Sequence, residues 1–466
     1  MNSKNETKLL VFSLLFTTVL LGAGFWLWNQ LSGKTIIPSA SNNNPQRNSG
    51  STSERISLGE KILVTADTNP DKEAGVKAFA KGDFAAAASN FRASLQKNRN
   101  DPETLIYLNN SLGESSKYLK VAVSVPIGGN LDVAKELLRG VAQAQDEVNR
   151  SGAINGKLLQ VAIANDDNDP NLAQQLATQF VKDSSIQAVV GHNASNLTIA
   201  AAPIYQQGRL VMISPSSTAE NLSGIGSYIF RTVLGNDSFA NSLSNYTIKT
   251  ARKTNIAICF DSTAVDTISF KKEFVKVIQA GGSKVNPTDC DLAAANFDPS
   301  AAMSQLISSG ADSLILLPHV DGINKSLELA AANKGKLALL ASPTLYRYQT
   351  LQAGKGDING MVMTVPWHPT AIKSNPFPQN AVKLWGGTVN WRTATAYDAT
   401  MAIAKGLQQG NSREELQKVL HSPSFSVNGA TGKIAFQPSG DIKGKAILVK
   451  VQPNSNSPTG YDFAPL

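Results

Sequence analysis

The chain has 466 residues, of which 42% are hydrophobic and 17% charged, and its formal net charge is +8. This length predicts two or more domains, and the composition excludes a largely disordered protein. Lysines and arginines are scattered, without basic runs interleaved with aromatic residues, so we expect solvated surface charge and no nucleic-acid partner.

The first predicted element is an uncharged apolar stretch, residues 9–28, which is long enough for a helix to cross a hydrocarbon core. Lys4 and Lys8 precede it, which favours a cytoplasmic N-terminus. Neither a small-residue cleavage site nor a cysteine for lipid attachment follows it. We therefore predict an uncleaved membrane anchor over residues 1–30, a flexible linker over residues 31–70, and an extracytoplasmic location for the rest.

An alanine-rich helical segment, residues 71–117, comes next. Its small and aromatic residues follow the spacing of a tetratricopeptide repeat in part: Gly75, Ala78, Phe84, Ala87, Phe91 and Ser94. One such repeat cannot normally bury its own apolar face. Three interpretations stay open: a second repeat beginning at Pro102, a hairpin that packs on the next domain, or a plain helical spacer.

From Tyr118 onward, short apolar runs alternate with helical patterns, which predicts an α/β protein built from two doubly wound parallel sheets. The runs at residues 186–190 and 210–213 both end in small hydroxyl residues. In a parallel sheet these ends lie where ligands bind, and the helix beginning near Ser195 would favour an anion. The alternative is that these hydroxyl residues only form turns and helix caps.

The two cysteines, Cys259 and Cys290, lack the spacing of a metal or redox motif. Cys259 ends a predicted strand and Cys290 follows the next one. A disulfide and two free thiols are both compatible with this pattern.

Four motifs together resemble the type I periplasmic binding proteins, in particular the group that binds leucine, isoleucine and valine: NGKLLQVAIANDDNDP, VVGHNASNLTIAAAPIY continuing to ISPSST, YIFRTV, and ATAYDAT with GATGKIAFQPSGD. The resemblance implies two α/β lobes joined by three hinge crossings, near residues 231–234, 344–360 and 432–440. It assigns residues 118–232 and 358–432 to lobe one and residues 233–357 and 433–466 to lobe two.

The resemblance also implies site residues in lobe one. Ser195 matches the serine that holds the ligand carboxylate, and Ser216 and Thr218 match positions that hold the carboxylate and the amine.

Lobe two departs from the family pattern. Val265 or Asp266 stands where the amino-acid binders have an aromatic residue, and the next contact is His319. Ser342, Pro343 and Thr344 stand where the family has the acid that pairs with the ammonium group. Either Asp266 supplies this negative charge or the ligand is not an α-amino acid; a surface helix cap is its simpler role, and His319 either lines the pocket or satisfies a loop carbonyl. Tyr346 and Trp391 are candidate aromatic walls, with core packing favoured for Trp391.

These residues predict a noncatalytic, membrane-tethered solute-binding protein for a small amino-acid-like ligand, without cofactor or metal, that serves an ABC-type permease. The alternative is a sensor that reports ligand occupancy to a protein partner. The four histidines lack metal-ligand spacing, and no nucleophile motif occurs, so we do not expect an enzyme.

Overall fold

The computed structural model describes residues 52–113, 118–152 and 154–466. The predicted anchor at residues 9–28 lies outside these ranges and stays a prediction. Within them, none of the helices combines the length and the apolar character that crossing a membrane requires.

The first sheet has the strand order β1-β3-β2-β4-β5-β6. Its strands are β1 (Ile56–Ser57), β2 (Tyr118–Val125), β3 (Leu158–Asn165), β4 (Ile186–Val190), β5 (Val211–Ser214) and β6 (Ile229–Arg231). All neighbours are parallel except β1, which runs antiparallel to β3. Successive side chains point to opposite faces, so Val121 and Val123 enter one core and Ala122 enters another.

Helices cover both faces of this sheet, as the doubly wound pattern predicts. The flanking helices are α4 (Leu131–Arg150), α5 (Pro170–Lys182), α6 (Ser195–Gln207), α12 (Phe377–Trp385), α13 (Trp391–Gln409) and α14 (Arg413–Leu420). Helices α4 and α13 make the most extensive helix contact, and Gly140 lets them approach. A Cβ atom there would lie 2.2 Å from the Thr393 carbonyl oxygen.

The second sheet has the strand order β15-β14-β11-β10-β9-β7-β8. Its strands are β7 (Asn255–Phe260), β8 (Lys284–Val285), β9 (Ser313–Leu317), β10 (Ala338–Ala341), β11 (Val362–Val365), β14 (Ile447–Pro453) and β15 (Tyr461–Pro465). The accompanying helices are α7 (Asn236–Asn245), α8 (Val265–Ala280), α9 (Pro299–Ser308), α10 (Ile323–Asn333) and α11 (Tyr348–Gly354). A separate hairpin joins β12 (Val427–Gly429) to β13 (Gly432–Ile434).

One lobe boundary differs from the prediction. We expected residues 358–432 in lobe one, but β11 pairs with β10 and β14 of the second sheet. The second crossing therefore lies between Val365 and Phe377, and not at residues 344–360. The apolar pattern of β11 suits either sheet, so periodicity alone could not assign it.

The first and third crossings lie beside each other, and Arg231 connects them. Its backbone N–H donates to the Gly440 carbonyl at 3.0 Å, and its guanidinium pairs with the Asp441 carboxylate. Nη1 of Arg231 also donates to the Ala219 carbonyl at 2.9 Å. The same side chain thus ties a hinge segment to the loop that follows β5.

The predicted helical segment packs on lobe one, which was one of the three alternatives. It forms α1 (Pro70–Ala80), α2 (Phe84–Lys97) and α3 (Pro102–Asn110). The side chain of Asn110 accepts from the Val161 N–H at 3.0 Å and donates to the Val161 carbonyl at 2.8 Å, as a neighbouring strand would. Together with β1, this helical segment covers an edge of the first sheet. The predicted flexible linker over residues 31–70 is therefore wrong at Ile56–Ser57, which form a strand paired with β3. The tetratricopeptide resemblance itself stays a prediction.

The cysteine pair forms a disulfide between Cys259 and Cys290, with the Cα atoms 4.6 Å apart. It links β7 to the segment that follows β8. This resolves the alternative that the sequence left open.

We expect Gly140→Ala to lower the free energy of unfolding by about 2 kcal/mol, because the new methyl group must displace the backbone of α13. Gly387→Ala is the matched control, since its Cβ would meet open space, and it should change stability by less than about 0.5 kcal/mol. Chemical denaturation of both variants measures this; equal stabilities would contradict the proposed close packing.

Candidate ligand-binding site between the lobes

Five strand ends converge on one cavity between the two sheets. Strands β4 and β5 lead into it from lobe one, and β7, β9 and β10 lead into it from lobe two. The cavity holds about 550 Å³ of empty space, including space open to solvent. All six site residues predicted from the sequence line it: Ser195, Ser216, Thr218, Asp266, His319 and Thr344. We call it the interlobe cavity; Asn236, Phe270, Leu317, Ser342, Trp391 and Arg392 also belong to its lining.

The lobe-one wall is built from hydroxyl groups and the first turn of α6. Ser195 is buried, and its Oγ accepts from the Ala219 N–H at 3.2 Å, which leaves the hydroxyl proton able to donate. Ser216 instead donates its proton to the Asn193 carbonyl at 2.8 Å, so its side chain can only accept from a ligand. The N-cap of α6 is Ala194, which has no side-chain acceptor for the first amides.

Several neighbouring hydroxyl residues act within the fold by joining two loops. Ser214 donates to the His192 carbonyl at 2.9 Å, and Thr198 and Ser217 share a hydrogen bond of 2.7 Å. These bonds hold the loops after β4 and β5 together. They therefore fix the spacing of the residues that reach the interlobe cavity.

The lobe-two wall carries two titratable side chains, Asp266 and His319. Burial raises the pKa of the Asp266 carboxyl, and the nearby His319 offsets only part of this increase. Burial lowers the pKa of His319, but the hydrogen bond to Asp321 and the charge of Asp266 outweigh it, so the net pKa is raised. Asn236 joins the two walls: its N–H donates to the Thr218 carbonyl at 2.9 Å, and Nδ2 donates to the Asp266 carbonyl at 2.7 Å.

The two residues predicted as aromatic walls, Trp391 and Tyr346, line different cavities. Trp391 is buried, lines the interlobe cavity, and donates from Nε1 to the Pro343 carbonyl at 3.2 Å, so it packs in the core and forms a wall. Tyr346 lines a different cavity, where its ring lies 4.4 Å from the Phe463 ring. We define this as the second cavity, which extends along α4 and α11 and is lined by Glu136, Arg139, Arg347 and His368 among others.

Sequence reasoning missed Arg392, which lies one residue after Trp391 in the first turn of α13. Arg392 is 3% exposed. Within the part of the chain that the structure describes, its Nε and Nη1 have no hydrogen-bond partner. A cation near a helix N-terminus opposes the helix dipole, and this was the signal available in the sequence. The Ser342 hydroxyl is a second buried group in the cavity without a partner among the described residues.

A metal site is not indicated within the described ranges, where no cluster of three or more His, Cys, Asp or Glu side chains could hold an ion. His192 contacts the Asp166 carboxylate at 2.9 Å and the Tyr205 hydroxyl at 3.1 Å, but all three residues are fully buried away from the cavity. This arrangement supports the core of lobe one.

Comparison with known proteins agrees with this geometry. Residues 119–456 match the family model described as periplasmic binding protein, which covers more than half of the chain. The chain belongs to the periplasmic binding protein family. Members of this family bind solutes, so a solute-binding role follows for this chain.

Relatives and solved structures extend the comparison. A leucine-, isoleucine-, valine-, threonine- and alanine-binding protein of Pseudomonas aeruginosa is 27% identical over 338 residues, 70% of this chain and 87% of that protein. A leucine-binding protein from Thermotoga maritima superposes with a TM-score of 0.66 at 19% identity, over 74% of this chain and 97% of that one. A solute-binding protein from Rhodopseudomonas palustris HaA2, solved with p-hydroxybenzoic acid, has the same TM-score at 17% identity, over 75% and 96%.

We expect His319→Gln to reduce stability more at about pH 5.5 than at about pH 8.5. The raised pKa means that folding favours protonated His319; this stabilisation is present below the ordinary histidine pKa and is lost as the pH rises through the folded-state pKa. Denaturation at both pH values measures the difference. His421→Gln, outside the interlobe cavity, controls for removing a histidine, and a pH-independent difference for His319→Gln would contradict the expectation.

Proposed function

We propose that this chain is an extracytoplasmic solute-binding protein that closes on a small carboxylate-bearing ligand, an amino acid or a related compound, for ABC-type uptake. One observation carries the proposal: polar strand ends from both lobes line a single cavity, with Ser195, Ser216 and Thr218 from lobe one facing Asp266 and His319 from lobe two. A clamp of this kind changes its open and closed populations when a ligand contacts both walls.

The lobe-one wall suits the carboxylate. Ser195 can donate its hydroxyl proton, and the first amides of α6 add the positive end of the helix dipole. The relatives named as amino-acid binders and the structure solved with p-hydroxybenzoic acid have a carboxylate ligand in common. This shared group supports a carboxylate in the present cavity.

The lobe-two wall suits an ammonium group at Asp266. This carboxyl lines the cavity, and its raised pKa indicates that the described residues around it do not fully compensate its charge. A ligand ammonium would supply that compensation. Asp266 would then replace the acid that amino-acid binders place at the position of Ser342 to Thr344. A carboxylate ligand without an amine is the alternative, with Asp266 protonated.

Membrane tethering through residues 9–28 is part of the proposal. Sensing is a second candidate, and the specific observation behind it is the α1–α3 segment, which precedes the family match and is fixed to lobe one by Asn110. The α1–α3 segment would therefore move together with lobe one and could report its position to a protein partner. Permease and ATPase genes beside this gene would favour uptake, and their absence with binding intact would favour sensing.

We expect Ser195→Ala and Thr218→Val each to weaken ligand binding roughly tenfold, the effect of losing one hydrogen bond to a charged group. The ligand is first found by thermal shift with branched-chain amino acids, amino-acid amides, short peptides and hydroxybenzoates, because binding raises the melting temperature. Ser304→Ala, an exposed serine on α9, is the control. Unchanged affinities in both cavity variants would mean that the site is misplaced.

We expect Asp266→Asn to weaken binding of L-leucine at least about tenfold while changing the affinity for 4-methyl-2-oxopentanoate less than about threefold. The two ligands differ at Cα alone, where the keto acid has a carbonyl oxygen in place of the ammonium group, so the ratio reports the ammonium contact. Calorimetry with wild type and variant measures it. Equal losses for both ligands would contradict an ammonium site at Asp266.

A further inference from the structure

Arg392 lies between the two cavities: it lines both the interlobe cavity and the second cavity. The residue is 3% exposed, and Nε and Nη1 find no partner among the described residues. Leaving donors of a buried cation unpaired is costly, so a protein retains such a group only where something else compensates it.

The nearby carboxylates do not supply this compensation. Glu136 attracts Arg392, but its Oε1 accepts from Arg139 at 2.6 Å, and its Oε2 accepts from the Thr393 hydroxyl and from the Asn390 N–H. Both oxygens of Glu136 are therefore engaged. Asp266 also attracts Arg392, although it forms no ion pair with it within the described residues.

The surroundings of Arg392 disfavour its charged form, so a nearby anion would stabilise it. Burial, together with the positive charge of Arg347, lowers the pKa of Arg392 to about 9. The guanidinium lies over the Trp391 ring, 4.3 Å from the ring centroid, which restricts its orientation. A guanidinium held in this way presents its free N–H groups to a planar anion such as a carboxylate.

We propose that Arg392 binds a second anionic group in the interlobe cavity, so that the ligand class carries two carboxylates: an acidic amino acid or a related dicarboxylate. The inference rests on the proposed function, since it needs one carboxylate at the lobe-one wall and assigns the second to Arg392. With an acidic amino acid, the ammonium group lies at Asp266. With a dicarboxylate, the Asp266 carboxyl is protonated.

The anion at Arg392 has two possible sources: the ligand itself, or a separate inorganic ion that accompanies a neutral amino acid. Calorimetry with wild-type protein distinguishes them. The probes are L-aspartate, L-glutamate and succinate, against L-asparagine, L-glutamine and L-leucine, each in low-salt buffer and with added chloride or phosphate. We expect acidic probes to bind at least roughly tenfold tighter than their amides in low salt, the effect of a charge-assisted hydrogen bond.

Two substitutions test the residue itself. Arg392→Met should lose roughly 10- to 100-fold in affinity for the acidic probe and less than about threefold for its amide. Arg392→Lys keeps the charge without the planar fork and should retain part of the affinity. Arg209→Gln, which removes an exposed arginine far from the cavity, controls for net charge.

The melting temperature of the ligand-free protein separates this role from a structural one. We expect Arg392→Met to melt at the same or a higher temperature than wild type, because it removes a buried charge without partners. A clear fall in melting temperature would indicate that Arg392 holds the fold together and would overturn the inference.

The binding data separate the two proposals. Tight binding of L-leucine that depends on Ser195 and is unaffected by Arg392→Met would overturn the inference and leave the proposed function intact. Dependence of L-leucine binding on chloride or phosphate through Arg392 would overturn a ligand with two carboxylates in favour of a separate inorganic ion. If none of the six probes binds but another carboxylate of the thermal-shift screen does, the inference fails and the proposed function stands. If no carboxylate of that screen binds, both fail.

Discussion

The site depends on the buried side chain of Arg231, because its guanidinium joins three segments that are distant in sequence. Nε pairs with Asp441 in the third crossing, and Nη1 donates to the Ala219 carbonyl in the loop after β5. Burial opposes ionisation of Asp441, yet the charge of Arg231 holds the pKa of Asp441 below its usual range. The loop that carries Thr218 is thereby fixed to the hinge as well as to its strand, so a ligand that contacted Thr218 would act on the crossings.

This coupling explains why the cavity can be built from strand ends of two sheets. Asn236 begins α7 directly after the first crossing and contacts Thr218 on one side and Asp266 on the other. A movement of one lobe against the other must therefore alter the relation between the hydroxyl wall and the charged wall. Asn236 thus belongs to both the hinge region and the cavity lining. A ligand that contacts both walls would therefore act on the hinge directly.

Local periodicity predicted the alternating strands and helices. The resemblance to the binding-protein family implied the first crossing and pointed to six site residues, all of which line one cavity. Outcomes that depend on pairing across the chain were not decided by the sequence: β11 was assigned to the wrong lobe, and the cysteine pairing and the docking of α1–α3 were left open. The pattern of β11 fits either sheet, the cysteine pair depends on two loops meeting, and the docking of α1–α3 depends on the side chain of Asn110. Arg392 was overlooked because its burial comes from the packing of α13 against α4 and lobe two, which no local pattern shows.

The cavity lining combines two kinds of polar group, and they bear differently on specificity: donors at the strand ends of lobe one, and the charged side chains Asp266 of lobe two and Arg392 of α13. Hydroxyl and amide donors on lobe one suit any carboxylate, so they fix the orientation of a ligand and discriminate little among ligands. Charges discriminate strongly, because a buried charge without its counterpart costs far more than a poorly filled apolar space. Asp266 and Arg392 are both held in poorly solvated surroundings, which shift the pKa of each toward its neutral form. Buried charges of this kind lower the stability of the ligand-free protein, and they also weaken the binding of ligands that lack the matching charges.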